Sequence, residues 1–177
     1  MVGVGESRPW QNLTVSLGFP VGESAFFGLT SGVGNQTRAG LYQNKTYDMT
    51  MRFSSVGFFG RIYSKKFTNL SLEPSLSFNQ WSGSISPFGL DPEEENPEIL
   101  TGGFQATGAS FGLGFVSTWF LSESVSLDWT FVGLKKSWLF SRRNTRSSHW
   151  IDGVTHRVLT STQFFGLTSV TVGFWSH

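Results

Sequence analysis

The sequence predicts an all-β fold: a closed, antiparallel, up-and-down β-barrel of eight strands that spans a membrane. It would occupy residues 1–177 as a single domain. Three observations carry that expectation. In FGLGFVSTWFLSESVSLDWTFVG, residues 111–133, a large apolar side chain returns at every second position on both sides of a polar break at Ser122-Glu123-Ser124. Phe111, Leu113, Phe115, Trp119 and Leu121 fill one arm, and Val125, Leu127, Trp129 and Phe131 the other, with mostly Gly, Ser, Thr and Asp between. That period of two marks a strand with unlike faces. The second observation is composition. Aromatic residues make up 16% and charged residues only 14%, where a water-soluble domain carries about a quarter charged residues. The third is an alternation of short connections, at 20–24, 63–68 and 122–124, with long ones at 35–45, 86–103 and 141–155, as in membrane barrels with short turns at one rim and long loops at the other.

Strand signals follow one another along the chain, and no sustained helical stripe stands out. Residues 12–19 alternate Leu13, Val15, Leu17 and Phe19 with Asn12, Thr14 and Ser16. Residues 20–24 form a turn, 25–34 a second strand and 35–45 a longer polar loop. The run 46–63 sets Tyr47, Met49, Met51 and Phe53 against Asp48, Thr50 and Arg52; its phase blurs at Ser54-Ser55, which predicts a bulge. Residues 70–85 set Leu70, Leu72, Leu76 and Phe78 against Glu73, Ser75, Ser77 and Asn79, with Pro74 costing one ladder donor. The hairpin 104–121 and 125–140 follows an acidic loop, 86–103, and precedes a basic one, 141–155. A last strand ends in Val170, Val172 and Phe174. These are seven runs, and closure in a bacterial barrel asks for an even number; residues 1–10, a divided long run or upstream sequence would supply the eighth.

Large apolar groups facing small or polar ones suit lipid outside and a narrow polar interior. A barrel with water outside would carry Lys, Glu and Gln on its outer face instead. Trp10, Trp81, Trp119, Trp129, Trp138, Trp175, Tyr47 and Tyr63 would form the interfacial girdles. A formal net charge of +1 excludes a field that gathers nucleic acid, and zero cysteines exclude disulfides, thiolate metal sites and thiol nucleophiles. No run reaches the roughly 20 apolar residues of a membrane helix. The start, MVGVGESRPW, is not a signal peptide, so an exported protein would be present in mature form.

With these runs, turns and the closing SVTVGFWSH, the chain resembles the small eight-stranded outer-membrane barrels of the OmpA, OmpX and OmpW kind, except that Trp175-Ser176-His177 extends past the final aromatic. The resemblance implies residence in a bacterial outer membrane, with outer-membrane lipid, lipopolysaccharide and the assembly machinery as partners. Val170, Val172 and Phe174 would be the assembly signal. The expected role is non-enzymatic: envelope integrity or surface interaction through the outer loops. Transport of small or apolar molecules is the alternative, followed by a lipid A-modifying enzyme and a soluble ligand-binding barrel.

Within that frame Arg52, Glu73, Asp128 and Arg157 point into the lumen, where charges must pair. Arg142, Arg143 and Arg146 are candidates for lipopolysaccharide phosphates, because guanidinium pairs with phosphate bidentately. Ser148, His149 and Asp152 hold the residue types of a hydrolytic triad. No surrounding motif supports them, so the expectation is no catalytic site. Glu93, Glu94, Glu95 and Glu98 lack the spacing of a calcium loop; no metal and no cofactor is expected. Asn12, Asn35, Asn44 and Asn69 begin Asn-x-Ser/Thr triplets that a Ser- and Thr-rich chain produces by chance.

Overall fold

Strand alternation runs further along the chain than its apolar residues alone indicate. The computed structural model describes residues 12–22, 24–64, 69–88, 101–122, 125–145 and 148–174. They form β1 (Asn12–Pro20), β2 (Ala25–Tyr42), β3 (Lys45–Tyr63), β4 (Leu70–Phe88), β5 (Gly102–Ser122), β6 (Val125–Asn144), α1 (His149–Thr160) and β7 (Gln163–Phe174). Each strand pairs antiparallel with its neighbours in chain order, giving one seven-stranded sheet.

The expected closed eight-stranded barrel does not form. Among the described residues β1 pairs with β2 alone and β7 with β6 alone. Seven alternating strands leave these two edges running in the same direction, so antiparallel closure is not open to them. The resemblance to the OmpA-like barrels and the expected outer-membrane residence fall with closure. Two open edges in hydrocarbon would leave rows of unpaired N–H and C=O groups, each costing several kcal/mol. Among the described residues, no helix is long and apolar enough to cross a membrane.

Two expected loops are instead ordered. Residues 35–42 continue β2, and the chain reverses through Gln43 and Asn44, whose φ values of 50° and 64° are those of a tight two-residue hairpin turn. The alternation of short and long connections is therefore lost. The loop expected at 141–155 is the end of β6 followed by α1. In α1, Trp150, Ile151, Val154, Val158 and Leu159 recur one turn apart and are buried. The buried Thr155 hydroxyl donates to the Ile151 carbonyl at 2.8 Å, and Trp150 Nε1 donates to the Tyr42 carbonyl at 3.3 Å, tying helix to sheet.

The long strands carry two zones of opposite polarity, and β3 shows how. Near its start Met49 and Met51 are buried while Asp48, Thr50 and Arg52 are exposed; further on, Phe59 and Arg61 are buried while Val56, Phe58 and Ile62 are exposed. Register with β2 is unbroken from Tyr42↔Lys45 to Ala25↔Ile62, so no bulge lies at Ser54-Ser55. Side chains keep alternating there, but the apolar ones change faces. Against the inner face, the one α1 covers, the first zone builds a core from Met49, Met51, Trp81, Ile85, Phe104 and Ala106 with the buried face of α1. Bulges do occur between β5 and β6: register shifts at Thr107/Gly108 and Phe115/Val116 leave Phe140 and Phe131 as extra residues. Pro74, which has no N–H to give, sits where the β3–β4 ladder lapses between Phe59↔Ser75 and Ile62↔Leu72.

Candidate functional site

In the second zone the outer face is apolar, and no described residue covers it. Leu17, Phe19, Phe27, Leu29, Val56, Phe58, Leu76, Phe78, Phe111, Phe115, Val132, Leu134 and Trp138 are all exposed, at 40–66%. The strand register makes them neighbours: Phe19 opposes Phe27, Leu17 opposes Leu29, Leu29 opposes Phe58, Phe58 opposes Leu76 and Leu76 opposes Phe111. Phe27 and Phe58 stack with centroids 6.0 Å apart, and Trp119 lies 5.8 Å from Trp129. Thirteen such side chains, each offering about half of the roughly 150–250 Å² of a large residue, present on the order of 1,000 Å². A typical monomer leaves a few hundred.

Beneath that band the inner face is polar and densely bonded. Arg61 of β3 donates from Nε and Nη2 to Glu73 Oε2 on β4 at 3.0 and 2.6 Å, and from Nη1 to Asp128 Oδ2 on β6 at 2.8 Å. The Thr118 hydroxyl donates to the second Asp128 oxygen at 2.7 Å. Burial alone would lower the Arg61 pKa, but the two carboxylates outweigh it and raise it, so this guanidinium stays charged. Further along, Asn79 Nδ2 donates to Ser110 Oγ at 2.9 Å, and Ser110 and Ser137 hydroxyls meet at 2.7 Å. Lys135 shares this face, and desolvation holds its pKa below the ordinary value.

The Arg61–Asp128 bond spans three interstrand steps, about 14 Å in a flat sheet. Helix α1 likewise touches β2 through Trp150 and β6 through Asp152. Both contacts require a sheet curled toward its inner face, which makes the apolar outer face convex.

Of the residues expected to share the polar interior, Glu73 and Asp128 meet at Arg61. Arg52 does not join them: it is exposed on the outer face, because its stretch of β3 has the opposite apolar phase. Arg157 sits on α1, its guanidinium carbon 5.9 Å from the Tyr42 ring centroid. Arg61 escaped the sequence reading because a phase carried over from Met49 and Met51 turns it outward; the neighbouring GFFG run was the available signal. Arg142 and Arg143 lie on opposite faces of β6. Arg142 is engaged with Asp152, by ion pair at 3.4 Å and by donation to the Asp152 carbonyl at 2.7 Å, while Arg143 is exposed. Ser148, His149 and Asp152 form no relay: the Asp152 carboxylate accepts from Asn144 and pairs with Arg142, Ser148 makes no side-chain capping bond, and His149 is exposed.

Val170, Val172 and Phe174 occupy β7 opposite Trp129, Leu127 and Val125. Arg146, the Glu93–Glu95 run, Glu98, Trp10 and the 175–177 extension lie outside the described residues. Among the described residues no cluster of metal-ligating side chains occurs.

The fold and its two faces define a curled antiparallel meander with an apolar convex surface. No family model, no curated protein and no solved structure matches the chain, so its class rests on this architecture.

Proposed function

We propose that the protein is a non-enzymatic binder of apolar, acyl-chain-bearing molecules, which it takes up on the convex outer face of the sheet. The observation that carries this reading is the contiguous band around Phe27, Phe58, Leu76 and Phe111, exposed and rich in aromatic rings. A surface of that size costs free energy in water until something apolar covers it. Convexity selects the cover: a second convex sheet touches it over a narrow strip, whereas flexible acyl chains follow its curvature. The inner Arg61 cluster is fully engaged with its own carboxylates and serves rigidity, which keeps the outer side chains in register.

The test is binding of a fluorescent long-chain fatty acid to the purified chain. Saturable binding is expected, weakened at least about tenfold, or 1.4 kcal/mol, by the double change Phe27→Ser and Phe58→Ser. Arg143→Ser, at the polar end of the same face, leaves it unchanged. Binding that ignores the Phe pair would remove the proposal.

A further inference from the structure

A second feature lies on the inner face where β2, β3 and α1 meet. Arg38 follows the inward phase of β2, and Tyr47 the inward phase of β3 beside it: Gly40 opposes Tyr47, and Arg38 opposes Met49. A Cβ on Gly40 would lie 2.6 Å from the Tyr47 hydroxyl oxygen, so the bare glycine lets the phenol lie across β2 toward Arg38. From above, α1 brings Arg157 over Tyr42. Desolvation raises the Tyr47 pKa, against the positive charge of Arg38 and Arg157, and desolvation lowers that of Arg38.

Among the described residues this corner holds no free carboxylate. Arg38 Nε is buried and has no hydrogen-bond partner. The described carboxylates nearby are committed or averted: Asp152 is held by Arg142 and Asn144, Glu73 and Asp128 by Arg61, and Asp48 is exposed on the outer face. Two cations at one corner beside a phenol, with a buried N–H left open, form an arrangement that an oxyanion completes.

We propose that Arg38, Arg157 and Tyr47 form an oxyanion-binding site, with the two guanidiniums gripping a phosphate group and the Tyr47 hydroxyl donating a hydrogen bond to it. The site is separate from the apolar outer face and does not depend on acyl binding there. The Arg38 fork, fixed in the sheet, supplies geometry; Arg157, on the exposed side of α1, admits the ligand from solvent.

Isothermal titration of the full chain with inorganic phosphate, pyrophosphate and dodecyl phosphate tests this. At least one of the three is expected to bind with one-to-one stoichiometry, and Arg38→Met is expected to weaken it about tenfold or more. Arg52→Met, removing an exposed outer-face arginine, leaves affinity unchanged. If Arg38→Met fails to fold, Arg157→Met, at an exposed helix position, carries the test with an expected loss of about fivefold. Equal affinities for pyrophosphate and dodecyl phosphate assign the site to free anions, and preference for dodecyl phosphate that is lost in the arginine variant assigns it to a head group. No binding of any of the three, or equal weakening by Arg52→Met, overturns the site.

Discussion

Replacing Arg61 by Met removes the cation that joins β3, β4 and β6 while keeping a side chain of similar length. Three hydrogen bonds go, two to Glu73 and one to Asp128. The larger effect is on what remains: Asp128, whose side chain is 9% exposed, keeps only its bond from Thr118, and Glu73, at 25%, turns partly to water. Removing one partner of a buried ion pair costs about 3–5 kcal/mol. The partial exposure of Glu73 places this case near the lower bound, about 3 kcal/mol. Urea unfolding followed by tryptophan fluorescence reads the change as a lower midpoint at constant slope. The triple variant Arg61→Met, Glu73→Gln, Asp128→Asn, with no charge left in the cluster, should recover about half the loss. A single-variant loss below about 1 kcal/mol, the range of exposed pairs, would refute the view that this cluster is desolvated and spans the curl of the sheet.

Thr118→Val removes the other bond to Asp128 at a fully buried position and should cost about 1–3 kcal/mol in the same assay. Ile151→Ala, at 0% exposure beneath α1, should cost about 2–5 kcal/mol and speed amide exchange throughout the helix; a loss confined to a few tenths would mean that α1 is loosely seated. Lys135→Met should raise the melting temperature near neutral pH, because it deletes a desolvated cation. Its pKa when folded lies below the 10.5 of the free side chain. Between those values the unfolded chain holds the extra proton, so wild-type stability gains on that of the variant as pH rises toward 10.5; a gap between the two that widens with pH contradicts this.

The strands were legible in the sequence because period-two alternation is a local property that backbone geometry imposes. Even the change of strand between Ser122 and Val125, which pair, shows in the polar break between two apolar arms. What the alternation leaves undecided is which face points where. The inference from Tyr47, Met49 and Met51 assumed one apolar face along all of β3, yet those residues pack under α1 whereas Val56 and Phe58 face outward. That switch put Arg52 on the wrong side, hid Arg61, and turned an unbroken register into an expected bulge. The second half of β2 read as a loop because its exposed positions, Asn35 and Thr37, are polar in the helix-covered zone. In α1, Gly153, Thr155 and His156 dilute a stripe that becomes apolar only when Trp150, Ile151, Val154 and Val158 are seen to share one side. Closure was not legible at all. It was deduced from lipid outside, and whether β1 meets β7 is a long-range property to which local alternation is blind. Of the candidate residues, Glu73 and Asp128 drew notice by their place opposite apolar neighbours, whereas nothing in the sequence pattern links Arg38 and Tyr47 on the sheet to Arg157 on α1.

The central claim is that apolar ligands meet the outer face and not the helix-covered inner one. Tryptophans report on both: Trp119 and Trp138 are 43% and 50% exposed on the outer face, while Trp81 and Trp150 are 8% and 5% exposed in the inner core. Single-tryptophan variants titrated with a dibrominated fatty acid measure this directly, because bromine quenches indole only at contact. Strong saturable quenching of Trp119 and Trp138, with Trp81 and Trp150 spared, is the predicted result; quenching of the inner pair with the outer pair untouched would contradict it.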